Sequence, residues 1–220
     1  MACGLHFGRE SASGGWRWRL GAALLGLLLA ACVREPFRVR PKTDPPVSET
    51  RAVAVAETDY VLRARAVWDG NELVDRFDAN HLTAGMLPVY VWLDVRTAAP
   101  LDLKAFRFRL HDAAGQTWRL LSVRQSEKRL MKSYGIRAYS VDGYQTFRRR
   151  YTDSCFPTTG TVAAGERADG FLFFEIPRAR RDLPAGTLWL EVERRGPGSH
   201  TVTRIELPAA DVVTSSAPKE

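Results

Sequence analysis

The stretch that decides the fold is LPVYVWLDVRT, residues 87–97. It is rich in β-branched and aromatic residues, which favour extended strands. Because successive side chains of a strand point to opposite faces, Val89, Val91, Leu93 and Val95 all fall on one side. The stretch therefore predicts a strand with one apolar face turned toward a core.

The segment FRFRLH, residues 106–111, repeats this two-residue period more cleanly. The alternation predicts that Phe106, Phe108 and Leu110 point inward. The polar side chains between them are predicted to point outward: Arg107, Arg109 and His111.

Further strands are predicted where alternating or apolar runs lie between turn residues. These runs are residues 60–68, 116–123, 171–176, 187–195 and 200–207. The GPGS sequence at 196–199 predicts a hairpin between the last two. About seven short strands separated by turns predict an all-β fold, an antiparallel β-sandwich.

Two places depart from the strand pattern. Residues 126–134 predict a helix with Leu130, Met131 and Tyr134 inward, and Gly135 stands where a left-handed C-cap is expected. Residues 78–84 predict one short helical turn capped by Asp78. The fold class is thus a β-sandwich with one short helix-containing insertion, at about residues 124–152.

An apolar run, LGAALLGLLLAAC at residues 20–32, precedes the predicted domain and follows Arg17 and Arg19. Only fourteen uncharged residues separate Arg19 from Arg34, whereas a membrane-spanning helix needs roughly 20 apolar residues. The run is therefore typical of an export signal rather than a span. An ordinary secretory signal that happens to end near a cysteine is the alternative.

The end of this run, LAAC, resembles the lipobox of bacterial lipoproteins. The resemblance implies that residues 1–31 are a signal peptide and that Cys32 carries lipid (a diacylglycerol, with palmitate or a similar acyl chain). Durable anchoring needs more than one acyl chain, which such a modification supplies. In that family Asp after the cysteine favours inner-membrane retention, so Val33 implies the outer membrane, on its periplasmic or surface side.

The remainder of the chain divides into three parts. Residues 32–50 are rich in proline and predict a lipidated, Pro-rich tether that spans about 25 Å as a coil. Residues 51–210 are predicted to form the sandwich domain, and residues 211–220 a flexible tail. A composition of 45% apolar and 26% charged residues is that of a globular protein.

From residue 57 to residue 207 the chain resembles the immunoglobulin-like sandwich domains found in bacterial lipoproteins. The resemblance is carried by LPVYV at 87–91, by Gly165-Glu166, and by GFLFFEIP at 170–177. It implies a binding or scaffolding domain of uncharacterised function and brings no functional residues with it.

The sequence contains no G-x-S-x-G elbow, P-loop, G-x-G-x-x-G or H-E-x-x-H motif. After processing, Cys155 is the one thiol free of lipid, and it is either a buried structural residue or a nucleophile. Asp75, Asp78 and Asn80 offer oxygen ligands, but turns use the same residues. The histidines, which show no zinc-ligand spacing, are His81, His111 and His200. The sequence predicts no enzyme, no cofactor and no metal site.

Residues 124–151 hold eight basic side chains and two acidic ones, interleaved with aromatic residues. Arginine and lysine donate hydrogen bonds to phosphate or carboxylate, and aromatic rings stack on planar or sugar-like groups. The candidate ligand-binding residues are Lys128, Arg129, Lys132, Arg148, Arg149, Arg150 and Tyr151. A solvated loop that merely carries charge is the alternative.

Two functions follow from these patterns. The first is a membrane-anchored outer-membrane lipoprotein acting as a non-catalytic interaction or structural module of the envelope. The second is a binder of an anionic envelope ligand, a lipid phosphate or an acidic glycan, through residues 124–151. The compartment argues against nucleic acid as a partner. An envelope hydrolase or thiol enzyme based on Cys155 is a third, weaker alternative.

Overall fold

Two antiparallel sheets pack face to face in the computed structural model, which describes residues 35–42, 48–177, 186–196 and 199–208. The first sheet consists, in spatial order, of β1 (Val53–Ala56), β2 (Tyr60–Ala66), β3 (Met86–Val95), β9 (Arg167–Glu175) and β7 (Leu120–Leu121). The second consists of β11 (Ser199–Leu207), β10 (Leu188–Gly196), β5 (Phe106–Asp112) and β6 (Thr117–Trp118). A short ribbon pairs β4 (Leu101–Asp102) with β8 (Thr161–Val162). The predicted all-β, antiparallel β-sandwich is confirmed.

The core between the sheets is the one that strand alternation predicts. Val89, Val91, Leu93 and Val95 of β3 are buried in it. The inward side chains of β5 meet them from the second sheet: Phe106, Phe108 and Leu110. Both predicted faces are therefore confirmed. These side chains are buried because burial removes apolar surface from water.

The last two strands form the predicted hairpin. β10 pairs with β11 along nine residues, from Leu188 opposite Leu207 to Gly196 opposite Ser199. β10 also pairs with β5, so it lies in the interior of the second sheet.

The predicted strand at 116–123 is divided between the two sheets. Thr117 and Trp118 pair with β5, whereas Leu120 and Leu121 pair with β9. Arg119 is the single residue between them, so the chain crosses from one sheet to the other at this position.

Helix α1 (Gly70–Phe77) follows the predicted strand at 60–68, in a stretch for which the sequence predicted no helix. Asp69 caps its N-terminus by accepting the Asn71 amide at 2.8 Å. Asp78 ends the helix with a left-handed backbone, φ 56°. The predicted cap at Asp78 is therefore wrong, since this residue closes a helix instead of starting one. The predicted turn itself is present slightly later, where the Ala84 amide donates to the His81 carbonyl oxygen at 3.1 Å.

Helix α2 (Val123–Ser133) confirms the predicted helix and begins three residues earlier. Ser122 and Gln125 form a capping box that fixes this start. Leu130 is buried as predicted, but Tyr134 is 41% exposed, so its inward placement is wrong. Gly135 has φ 63° and ends the helix as predicted.

Helix α3 (Val141–Ser154) fills the rest of the insertion, for which the sequence predicted only a charged segment. Ser140 caps it by accepting the Gly143 amide at 3.0 Å. Phe147 and Tyr151, four residues apart, share one face and are fully buried.

The C-terminal end of α3 lies directly on β9. A Cβ atom added at Gly170 would stand 2.5 Å from the carbonyl carbon of Cys155, and Gly170 has φ 149°. Only glycine permits this approach and this conformation.

A second core lies between the first sheet and the three helices. It uses the other faces of β3 and β9 and is rich in aromatic rings. Its residues from β3 and β9 are Met86, Tyr90, Trp92, Phe171 and Phe173. Strand β3 is thus buried on both faces.

Part of the predicted tether belongs to this second core. Phe37 and Val39 are buried, and the Arg40 amide donates to the Arg76 carbonyl oxygen at 2.8 Å. A free spacer over residues 32–50 is therefore wrong for residues 35–42, because two apolar side chains hold them on the domain. Residues 1–31, Cys32 and the tail at 211–220 lie outside the described residues. Among the residues described, no helix is both long and apolar enough to cross a membrane.

Candidate ligand-binding groove

Three of the predicted ligand-binding residues meet in one groove beside α2. Lys132 lies four residues after Lys128 and three after Arg129, so all three project toward one side of the helix. The groove measures about 600 Å³, within the size range of small-molecule sites. The rest of its lining is Ala84, Arg119, Leu121, Gln125, Ser133 and Glu175.

Glu175 forms ion pairs with two arginines on one wall of the groove. Arg129 Nη1 lies 2.6 Å from Glu175 Oε1, and Arg119 Nη2 lies 2.7 Å from Oε2. The hydrogen bond from Arg129 is the main reason that the pKa of Glu175 is lowered. Arg129 Nε also donates to the Ala84 carbonyl oxygen at 3.0 Å, which ties α2 to the loop before β3.

Lys128 and Lys132 also line the groove, but they form no ion pair with Glu175. Both are exposed, and within the described residues neither has a carboxylate within 4.0 Å. They stand four positions apart on α2, where like charges oppose helix formation. With Arg119 and Arg129 against Glu175 alone, the lining is strongly positive and suits an anion.

The three consecutive arginines belong to a different surface. They lie on α3, where neighbouring residues point in directions about 100° apart. Arg148 faces Glu127 at 4.0 Å and Arg150 faces Glu35 at 3.6 Å, while Arg149 is exposed. The structure thus divides the predicted site and places only its α2 half in the groove.

Tyr151 cannot contact a ligand from solution, because it is fully buried. Its hydroxyl lies 3.3 Å from His81 Nε2, and its ring is stacked with that of Phe173. Burial raises the pKa of Tyr151 and lowers that of His81 to about 3. The prediction of Tyr151 as a ligand-binding residue is therefore wrong.

Cys155 is buried at the end of α3, and its Sγ donates to the Tyr151 carbonyl oxygen at 3.1 Å. Burial raises the pKa of the thiol to about 12. Since the thiolate is the nucleophile, this position favours the structural alternative over the catalytic one.

The oxygen-bearing residues near α1 are occupied by local hydrogen bonds. Asp75 pairs with Arg40, and Asp78 accepts the Arg38 amide at 3.3 Å. Asn80 Oδ1 accepts the Leu82 amide at 2.9 Å, as a turn residue does. Among the described residues, no three His, Cys, Asp or Glu side chains come together as a metal site would require.

Sequence reasoning missed Arg119 and Glu175. Both lie outside the basic segment, one at the crossing between the sheets and the other at the end of β9. No local pattern marks them, because they meet α2 only when β7 pairs with β9.

Comparison with known protein families finds no matching family model, and comparison with curated proteins finds no match. Three solved structures of bacterial proteins show a distant similarity. A conserved hypothetical protein from Bacillus anthracis is 13% identical, with a TM-score of 0.34 over 64% of this chain and 86% of its own. A DUF4426 family protein from Pseudomonas aeruginosa PAO1 is 8% identical, with a TM-score of 0.32 over 72% of this chain and 94% of its own. A functionally unknown protein from Listeria monocytogenes EGD-e is 11% identical, with a TM-score of 0.40 over 74% and 84%.

Proposed function

We propose that this protein is a membrane-anchored lipoprotein of the bacterial envelope, attached through lipidated Cys32, and that its domain is a non-catalytic binding module. We place the binding surface in the groove beside α2, with an anionic phosphate or carboxylate group as the ligand. The observation that carries the proposed binding surface is the pair Lys128 and Lys132, which belong to a positively charged lining and have no carboxylate partner among the described residues. The proposed anchor rests on the LAAC sequence at residues 29–32.

The geometry supports binding because the groove holds two arginines that are fixed in place and two lysines that are free to move. Arg119 and Arg129 are fixed by Glu175, so little side-chain entropy is lost if they contact a ligand. Lys128 and Lys132 are free to approach an anion, and their mutual repulsion on α2 falls when one binds between them.

The anchor is tested by metabolic labelling with a radioactive fatty acid. We expect label on the wild-type chain and none on Cys32→Ala. Equal label on both, or none on either, would reject lipidation at Cys32 and with it the proposed attachment.

The groove is tested by titrating the mature protein in neutral detergent with oligogalacturonate and with glycerol phosphate. We expect Lys128→Gln with Lys132→Gln to weaken binding of the preferred ligand by about tenfold, close to 1.4 kcal/mol. Arg96→Gln with Lys104→Gln is the matched control, since it removes two exposed positive charges outside the groove. Equal affinity of the two double variants would show that the groove is not the site.

Ionic strength provides a second check on the same titration. Exposed charges are screened over about 8 Å at 0.15 M salt, so affinity should fall as salt rises. The double variant Lys128→Gln, Lys132→Gln should respond less to salt than the wild type. An affinity that does not depend on salt would contradict an electrostatic site.

A further inference from the structure

Residues 35–42 are docked on the domain. Phe37 packs edge-on against Tyr134, with ring centroids 5.3 Å apart, and against Phe147 at 5.7 Å. Glu35 lies 3.6 Å from Arg150 on α3. The segment 35–42 then continues across the helical layer, and Lys42 Nζ donates to the Asp169 carbonyl oxygen at 2.7 Å.

This docking shortens the link between anchor and domain. Only residues 33 and 34 separate Cys32 from Glu35. Three residue steps reach at most about 11 Å, whereas a free spacer over the whole proline-rich stretch would allow about 25 Å. If Cys32 lies at a membrane surface, the face of the domain that holds Glu35 and Phe37 lies close to that surface.

That face carries an unusual share of the exposed apolar side chains. Within the described residues five large hydrophobic side chains are exposed, and three of them lie in the α2–α3 connection or at the first residue of α3. These three are Tyr134 at 41%, Tyr139 at 42% and Val141 at 71%. Tyr134 touches Phe37 directly, and Tyr139 stacks on Tyr144, whose ring lies 6.4 Å from Phe147.

Charged side chains of both signs lie near these residues, with Arg137 in the connection and Asp142 in the first turn of α3. Arg137 in the connection and Arg149 on α3 are exposed, and neither has a carboxylate within 4.0 Å among the residues that the structure describes. Tyrosine is enriched at membrane–water interfaces, where its ring is apolar and its hydroxyl is hydrated. Arginine near an anionic surface adds about 1 kcal/mol of attraction per side chain.

We propose that residues 134–141 together with Arg149 form a membrane-contact surface, which rests on the phospholipid headgroups of the membrane that holds Cys32. The inference builds on the proposed lipidation, since the short link from Cys32 brings this surface to the membrane. It assigns a fixed orientation: the α2–α3 connection faces the lipid, and the turn end of the β10–β11 hairpin does not.

The orientation is tested by spin labelling of the lipidated full-length mature protein in vesicles that contain phosphatidylglycerol. Val141→Cys places a nitroxide in the proposed surface, and Val202→Cys places one on β11, at another exposed valine (49%). The unsubstituted protein corrects for Cys155, which is buried. We expect the label at 141 to be accessible to oxygen and shielded from a water-soluble nickel complex, and the label at 202 to show the reverse.

Charge is tested in the same vesicles with Arg137→Gln and Arg149→Gln together. We expect the label at 141 to be more exposed to water in this double variant. We expect the same change when the protein that keeps both arginines is measured in neutral phosphatidylcholine vesicles. Equal nickel accessibility at 141 and 202 in anionic vesicles would overturn the proposed surface.

The two proposals fail in different ways. Fatty-acid labelling of the same preparation reports the anchor, and the nitroxide at 141 reports the surface. If Cys32 carries the fatty acid but the nitroxide at 141 is exposed to water, the anchor is retained and the membrane-contact surface is rejected. The nitroxide measurement is made on mixtures with anionic vesicles even if Cys32 carries no lipid, and a water-exposed label at 141 then counts equally against the surface.

Discussion

Strand β3 is buried on both faces, and the two faces meet different partners. Toward the second sheet it presents aliphatic side chains such as Val91 and Leu93, which pack against other strands. Toward the helices it presents Tyr90 and Trp92, which pack in a layer of aromatic rings. We call the first region the sandwich core and the second the helical core.

The two cores also treat polar groups differently. The helical core encloses a group of buried polar side chains: His81, Ser126, Glu127, Tyr151 and Ser154. In the sandwich, buried Asp112 and Glu193 lie on strands of the second sheet and bond to Trp118 and to Arg195 respectively. Because a buried polar group must keep its hydrogen bonds, the helical core depends more on protonation and on side-chain geometry than the sandwich core does.

The largest expected effect comes from acid acting on His81. Its pKa is about 3 in the folded protein because of burial, against 6.5 when exposed, so between these values the unfolded chain binds a proton that the folded chain does not. Stability conferred by the neutral histidine is full above pH 6.5 and falls toward pH 3, by on the order of 4 kcal/mol.

The measurement is the free energy of unfolding by urea as a function of pH. His81→Gln, which does not titrate, should flatten the curve between pH 6.5 and 3. His111→Gln, which removes a partly exposed histidine on β5, is the control for the loss of a histidine elsewhere, and His81→Gln should flatten the curve more than this control does. If the wild-type slope persists in His81→Gln, another group is responsible.

Cavity-forming substitutions in the two cores should cost similar free energy of unfolding but should loosen different regions of the protein. Leu190→Ala in the sandwich core and Phe147→Ala in the helical core should each lower the free energy of unfolding by about 3–4 kcal/mol, since both side chains are fully buried. Hydrogen exchange separates them. Leu190→Ala should speed exchange in both sheets, and Phe147→Ala mainly in α2 and α3. The same exchange pattern in both variants would mean that the two cores form one cooperative unit.

A smaller loss is expected where the two cores are joined. Gly170→Ala would place Cβ 2.5 Å from the Cys155 carbonyl carbon, so α3 must shift away from β9 at a cost of about 2 kcal/mol. Gly160→Ala is the matched control, because Gly160 also has positive φ (98°) but has open space around it. Thermal unfolding should show the greater loss for Gly170→Ala, and equal losses would assign the effect to backbone conformation alone.

The smallest effect is expected at Glu193 on the second sheet. Hydrogen bonds from Arg195 and then His200 lower its pKa from 4.5 to about 2, so its stabilising contribution is full above pH 4.5 and is lost as pH falls toward 2. Glu193→Gln should reduce stability slightly at pH 7 and not at pH 2. Glu206→Gln, at an exposed position of β11, is the control. A change in the curve above pH 5 would contradict this assignment.

Sequence reasoning succeeded where a local pattern is sufficient. A period of two residues placed Phe106, Phe108 and Leu110 in the sandwich core, and GPGS at 196–199 indicated the last hairpin. It succeeded less well for the helical core. Phe37 and Val39 lie in a proline-rich stretch whose burial depends on α1 and α3, and α3 itself was taken for a charged segment.

The candidate groove shows the same division. Lys128, Arg129 and Lys132 were found because their spacing and charge are visible along the chain. Arg119 and Glu175 were not found, and Tyr151 was assigned to a surface from which it is absent. Side-chain type alone does not say whether an aromatic residue next to an arginine points to water or to a core.

By itself the sequence determined the class of the fold, since alternation along the strands gives each sheet one apolar face, and two such faces bury each other when the sheets pack together. Only the tertiary structure decided what covers the outer face of β3, where α3 ends against Gly170, and which basic residues share a groove. These depend on contacts between segments far apart in the chain, such as Arg119 with Glu175 and Phe37 with Tyr134. Local periodicity reports which face of an element is apolar, but not which element packs against it.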